Sequence, residues 1–303
     1  MPLKTVDSAY AGLVSQGAIT DIGVPGGLTY GLNNARQVTG YYYSHDKNLS
    51  RAYFYSGGVL QDLGDLPLFQ GRDSVGYGIN QRGDVVGAFG SFYGNYSSRA
   101  FLLRDGVLQD LGTFGGIHAT AMAINDLGDV AGNYIDATGF ERAFIQADGQ
   151  LIDLSSGPTG KPGSVLAINN RRQAVGLNWK PRVRGGTRVQ PHAFFYADGV
   201  LTDIHPKGKV GSSAVAINEA GDVVGNFSSS PGGTTAFVRR GGKTYSLNTL
   251  IPSDQQAQWW LVYANAINQN GQIAGSGTQG TANCRYVLSP IAGARLDPVL
   301  AVP

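Results

Sequence analysis

Short apolar runs alternate along this chain with clusters of Gly, Asn, Asp and Ser, and no window sustains the apolar period of a long helix. The runs are rich in Val, Ile, Phe and Tyr, as in "RAFLL" from Arg99 and "DVVG" from Asp84. β-Branched and aromatic residues bounded by turn formers predict short strands. The strands recur. "GLNNARQVTG" from Gly31, "GINQRGDVVG" from Gly78, "AINDLGDVAG" from Ala123, "AINNRRQAVG" from Ala167, "AINEAGDVVG" from Ala216 and "AINQNGQIAG" from Ala266 are six copies of one unit. Their anchoring asparagines, Asn33, Asn80, Asn125, Asn169, Asn218 and Asn268, lie 47, 45, 44, 49 and 50 residues apart. A period in that range marks a solenoid, a propeller or another array.

Each unit holds segments of strand character in a fixed order. The first ends at the Ile-Asn pair and the second is the "DVVG" type. The third is "RAYFY" from Arg51, "RAFLL" from Arg99, "RAFIQ" from Arg142, "HAFFY" from His192, "TAFVR" from Thr235 and "CRYVL" from Cys284. The fourth is "GVLQDLG" from Gly58 and Gly106, "GQLIDLS" from Gly149, "GVLTDIH" from Gly199 and an altered "KTYSLNT" from Lys243. Asn bonds nearby backbone and Gly tolerates positive φ, so a tight hairpin is expected between the first two strands. Arg82-Gly83-Asp84, a tripeptide often read as an adhesion signal, is then one copy of that turn.

The sixth unit stops after its third segment, and a matching fourth, "GAITDIG" from Gly17, precedes the first unit. This permutation predicts an all-β, six-bladed β-propeller with four antiparallel strands per blade, the N-terminal strand completing the last blade. One domain spanning 1–303 is expected, with blades near 28–64, 74–112, 119–155, 164–205, 212–249 and 262–290 plus 13–24. Small residues (Gly31, Gly78, Ala123, Ala167, Ala216, Ala266) precede each Asn by two, and Leu32, Ile79, Ile124, Ile168, Ile217 and Ile267 precede it by one. Alternating faces, one small and one large, suit blades stacked face to face.

The repeats resemble the HAF-repeat family, named for His-Ala-Phe in its third segment. Here that triplet is intact at His192, and "DLGTFGG" from Asp110 and "SLNTLIP" from Ser246 look like the family's linker signatures. The similarity runs from Gly17 to about Pro290. It implies a propeller from a group of usually exported bacterial proteins, and it carries over no catalytic residue.

Composition narrows the classes. A net charge of +2 makes no electrostatic case for nucleic acid. One cysteine excludes an intramolecular disulfide framework and a four-Cys zinc site. The first residues lack the apolar core of a signal peptide and no apolar run is long enough to span a membrane, so a soluble, cytoplasmic protein is expected, with a mature exported form as the alternative. The final "AGARLDPVLAVP" reads as a loose end. Oligomeric state stays open.

Candidate chemistry gathers where loops enter the first strands. Arg72 and Asp73 precede the second blade, His118 and Thr120 the third, and Trp259, Trp260 and Tyr263 the sixth. Tyr30 and Tyr77 occupy matching positions and share a face. His118 and Asp73 are expected to pair, the carboxylate orienting the imidazole as in general acid–base catalysis. Arg72 would hold a carboxylate or enolate, and the Tyr and Trp side chains and Thr120 would line a central pocket. Each also has a structural reading: a loop His, a turn Asp, Trp residues plugging a blade junction, Tyr residues in the core. Lys180, Arg182, Arg184 and Arg188 crowd one loop, read first as solvated. "GSGTQG" from Gly275 has no following helix to make it a dinucleotide loop. His45, His118, His192 and His205 lack metal-ligand spacing, so no catalytic metal and no cofactor is expected, with a structural cation left open. Two functions follow: a cofactor-free lyase, isomerase or cyclase acting on a small organic molecule, or a non-catalytic module binding a glycan or protein partner.

Overall fold

The computed structural model describes residues 10–15, 18–92, 97–154, 163–181, 189–229, 232–290 and 301–302. The strands are those the repeats predict. They divide into two compact units, between Asp153 and Leu154. In the first unit three antiparallel sheets each run in sequence order. They comprise Leu28–Leu32, Val38–Ser44, Leu49–Ser56 and Val59–Asp62; then Asp73–Ile79, Val85–Ser91, Ser97–Arg104 and Val107–Gly112; then His118–Ile124, Val130–Ile135, Glu141–Ala147 and Gln150–Asp153. In the second unit two sheets have the same order: Gly163–Ile168, Ala174–Pro181, Val189–Ala197 and Val200–Asp203, then Gly211–Ile217, Val223–Ser229, Gly233–Arg240 and Lys243–Ser246. The sixth sheet is Trp259–Ile267, Ile273–Gln279 and Ala282–Leu288. Among the described residues helix is limited to short turns such as Ser253–Gln256, and no helix is long and apolar enough to cross a membrane.

The core lies between consecutive blades. Ala52, Leu63 and Phe69 pack with Val85, Phe89 and Phe101, and Val86, Ala100 and Leu102 pack with Ala119, Ile124 and Phe144. Val175 and Ala193 meet Ala214, Val223 and Phe237, and Val224 and Tyr245 meet Leu261, Ile273 and Tyr286. Gly31 and Gly78, two residues before their Asn, serve this stacking. A Cβ on Gly78 would come within 3.1 Å of the Ala123 Cα in the next blade.

Two local devices recur in every blade. The first strand carries a β-bulge at Tyr30, Tyr77, Met122, Leu166, Val215 and Asn265, with a second in the last blade at Val262. A bulge bends its strand and re-aims a side chain. It also drives a carbonyl toward the second strand, where Gly40, Gly87, Gly132, Gly176, Gly225 and Gly275 receive it. A Cβ on Gly87 would sit 1.9 Å from the Val75 carbonyl oxygen and 2.6 Å from the Phe101 ring. The last Gly of the repeat and the aromatic of its third strand are thus one packing unit.

The second device is the anchoring Asn. Asn80 Oδ1 accepts from the N–H groups of Arg82 (3.0 Å) and Asp84 (2.9 Å), closing the hairpin. Its Nδ2 donates to Asp84 Oδ2 (2.8 Å) and to the Asn125 carbonyl in the next blade (3.1 Å). Asn33 does the same to Asn80, Asn169 to Asn218 and Asn218 to Asn268. A parallel row joins Gln81 N–H to Asp126, Asn170 N–H to Glu219 and Glu219 N–H to Gln269. The turn signal is therefore also a blade-to-blade staple. It disposes of the adhesion reading, because the Asp84 carboxylate is 3% exposed and accepts from Asn80, Arg82 and Arg104.

Both ends of the chain form further pairs. Ala18–Pro25 pairs with Tyr10–Ser15, and the sixth sheet has three strands among the described residues. A hairpin partner a few residues away costs far less loop entropy than one at the far end of the chain, and Ile22 and Val24 bury against Val38, Tyr53 and Tyr55 of the first blade. The end of the chain is not wholly loose either: Ala301–Val302 pairs antiparallel with Thr244 and Tyr245 of the fifth sheet.

Candidate functional site

Asp73 and His118 each open the first strand of a blade, seven residues before the anchoring Asn. Asp73 is buried, and its Oδ1 accepts the Ser50 N–H at 2.8 Å. His118 Nδ1 lies 2.9 Å from Ser98 Oγ, which itself donates to the Ala119 carbonyl at 2.9 Å. The ring proton therefore sits on Nδ1, facing Ser98. Ser50 and Ser98 both belong to the third strand of the preceding blade. Equivalent residues of consecutive repeats point the same way relative to their own blades, so each reaches back one blade and they do not meet. No hydrogen bond joins Asp73 to His118 among the described residues, and the pair on which acid–base chemistry was expected to rest is not formed. Burial pushes the His118 imidazole below its ordinary value, Glu141 opposing the shift.

The other expected residues of this unit divide between surface and interior. Exposed Arg72 places its guanidinium 5.8 Å from the Phe89 ring centroid, a cation–π contact. Thr120 is buried in the first strand of its blade, opposite Asn133. Tyr30 and Tyr77 come together, because both are bulge residues of adjacent blades: their rings are 5.2 Å apart and tilted. Tyr41 adds a third ring, stacked 6.0 Å from Tyr30. Tyr30 is 49% exposed, so the cluster is open to solvent. Burial, with Tyr30 and Tyr41 nearby, pushes the Tyr77 phenol up to about 12, and burial raises Tyr30 too. The Tyr30 and Tyr77 hydroxyls therefore stay neutral, able both to donate and to accept. Tyr41 was not singled out from the sequence; its signal was its place directly after the packing Gly40.

In the second unit, Trp259 packs against the core of the last two blades, and Trp260 Nε1 donates to the Thr234 carbonyl at 3.0 Å. Tyr263 is exposed, and its carbonyl accepts from Tyr286 at 2.7 Å. "GSGTQG" lies largely inside the strand Ile273–Gln279, where Gly275 makes room for that carbonyl. Sequence reasoning did not join a polar cluster found here. His192 Nδ1 meets Asp203 Oδ2 (3.0 Å), Lys180 reaches the same oxygen (2.5 Å), and the His192 and His205 rings stack at 3.8 Å. His205 is tied to Ser212 Oγ (2.8 Å) and the Lys209 carbonyl (3.2 Å), so both its nitrogens are engaged. Arg182, Arg184 and Arg188 lie outside the described residues. Among those described, no group of three His, Cys, Asp or Glu is arranged as metal ligands.

A pH dependence follows. Burial lowers His118, and burial with the neighbouring His192 lowers His205. The unfolded chain then binds these protons first as pH falls through the ordinary imidazole value of 6.5, so the stability is present above that value and is lost below it. Thermal midpoints are expected to drop between about pH 6.5 and pH 5, well above the carboxylate range. His118→Gln should flatten that fall; an unchanged slope in both His118→Gln and His205→Gln would refute the assignment.

No protein-family model and no curated protein sequence matches the chain. Solved structures do. It is similar to the β-propeller domain of the Trilobed protease from Pyrococcus furiosus, whose propeller has an open velcro topology, with 10% identity and a TM-score of 0.55 over 86% of this chain and 81% of that one. It is similar also to TolB from Acinetobacter baumannii, with 11% identity and a TM-score of 0.51 over 84% of this chain and 61% of that one. The chain thus spans less than two thirds of TolB. Likeness at this identity shows the fold alone, and with six repeated antiparallel sheets that fold is a six-bladed β-propeller.

Proposed function

We propose that this propeller is a binding module whose ligand is a glycan, received on the surface formed by Tyr30, Tyr41 and Tyr77. The observation that carries the reading is the three-ring cluster, open to solvent at Tyr30 and built on bulges that aim its members together. Aromatic faces take the apolar face of a sugar ring, and neutral phenols exchange hydrogen bonds with its hydroxyls. The commitment of Asp73 to Ser50 and of His118 to Ser98 argues in the same direction, since neither is arranged to help the other move a proton. On its Asn-centred repeats and His192-Ala193-Phe194 we group the chain with the HAF-repeat propellers.

Calorimetry against a panel of mono- and oligosaccharides tests the proposal. Tyr30→Ala and Tyr77→Ala should each weaken the best ligand by about tenfold, the worth of one aromatic contact. Unchanged affinity in both variants would sink the reading. One feature favours the second reading, a lyase, isomerase or cyclase: burial disfavours the charged form of the His118 imidazole and so leaves it unprotonated and able to accept a proton. Turnover of a small organic substrate that disappears in His118→Ala while binding persists would decide for it.

A further inference from the structure

The outer strands of the blades are exposed edges, and four of them are guarded by charge. In the first blade Asp62 on the outer strand pairs with Arg51 on the third at 2.8 Å. Asp110 pairs with Arg99 at 2.8 Å, Asp153 faces Arg142 at 3.9 Å, and Asp203 takes both His192 and Lys180. Charged residues on an edge strand keep other strands from pairing with it. In the fifth blade the same two places hold Ser246 and Thr235: Ser246 stands opposite Phe237 just as Asp203 stands opposite Phe194. This edge lacks the paired carboxylate, and its one charge is Lys243 at its first residue. It is also the edge on which a fifth strand lies, Val302 opposite Thr244 and Ala301 opposite Tyr245. Among the described residues no other outer strand of a blade has such a partner. The added strand buries side chains as well. Val302 packs on the cluster of Val175, Ala193, Ile204 and Phe237, and Ala301 on the cluster holding Tyr245 and Leu247.

We propose that the outer edge of the fifth blade, Lys243–Ser246, is a strand-addition site for an extended peptide of small apolar residues, and that residues 301–302 of this chain are its resident occupant. Backbone pairing supplies the affinity, and the apolar clusters beneath alternate side chains supply the selectivity. Among the described residues the resident pairs at Ala301 and Val302, and a peptide of the same pattern that also pairs along the rest of Lys243–Ser246 can displace it.

The test uses the full chain carrying Ala301→Pro and Val302→Glu, which removes a backbone N–H and the apolar contact of the resident strand. The probe is a fluorescein-labelled peptide of sequence LDPVLAVP, that of residues 296–303. The resident competes at an effective concentration of ~1 mM against an intrinsic Kd of the same order, so the variant should bind the peptide at least about twofold tighter than the parent. Adding Ser246→Asp should abolish binding by restoring the guard. Amide exchange at Thr244 and Tyr245 should quicken in the tail variant and slow again with peptide. Self-association of the parent through exchange of this segment, lost in the tail variant, would also support an acceptor edge. No binding to a tail variant that melts like the parent, or binding indifferent to Ser246→Asp, would overturn the proposal.

Discussion

Asn80→Ala is expected to destabilise the protein by about 3 kcal/mol or more, and Asn268→Ala by only about 1 kcal/mol. The chemistry removed is the same; the surroundings are not. Asn80 is 2% exposed and its carboxamide makes four hydrogen bonds, two closing its own turn, one to Asp84 and one to the next blade. Alanine leaves the Arg82 and Asp84 N–H groups and the Asp84 carboxylate short of a partner in a place water reaches poorly, and an unmet buried group costs more than a bond contributes. Asn268 closes the same turn, but it is exposed, so water replaces what alanine removes. Urea unfolding of the two variants beside the parent checks this. Equal midpoints for the two would mean that the blade-to-blade bond of Asn80 contributes nothing.

Gly87→Ala is the second large effect: failure to fold, or a loss above about 4 kcal/mol. Backbone freedom is not the reason, since the new Cβ would stand 1.9 Å from the Val75 carbonyl and 2.6 Å from the Phe101 ring. Neither neighbour can retreat, because the carbonyl is set by the bulge at Tyr77 and Phe101 is wholly buried. Gly58→Ala is the control. It has φ +88 with open space around it, so only backbone strain opposes the methyl group, about 1 kcal/mol. Soluble yield and thermal midpoint separate the two. A Gly87→Ala protein melting within a few degrees of Gly58→Ala would show that the bulge relaxes.

The readable part of the site follows the same division between local and distant contacts. Tyr30 and Tyr77 were recognisable as a pair because both stand three residues before an anchoring Asn, and equal places in neighbouring repeats share a face. That rule also explains the failed pairing. Asp73 and His118 are equal places too, and because they point alike they contact Ser50 and Ser98 of the blade behind. Tyr41 joined the aromatic cluster from a second strand, through a contact no single repeat displays. The stacked His192 and His205 likewise come from separate segments that only strand pairing and a loop bring into register.

What the sequence by itself determined is whatever one repeat encodes: short strands, the Asn-closed hairpin, the small residues at each blade face and the six-fold count. These are local, and each recurs often enough to be read. Tertiary structure decided what happens between repeats and at the ends. It turned the Asn carboxamide from a turn former into a staple, because the next blade's carbonyl lies within reach of Nδ2. It set the repeat's last Gly against a carbonyl of the bulged first strand. It paired Ala18–Pro25 with its immediate neighbour and Ala301–Val302 with the edge that lacks a paired carboxylate. Strand patterns are alike wherever they occur; which strand a free edge accepts depends on loop entropy and edge charge, and those exist only once the chain is folded.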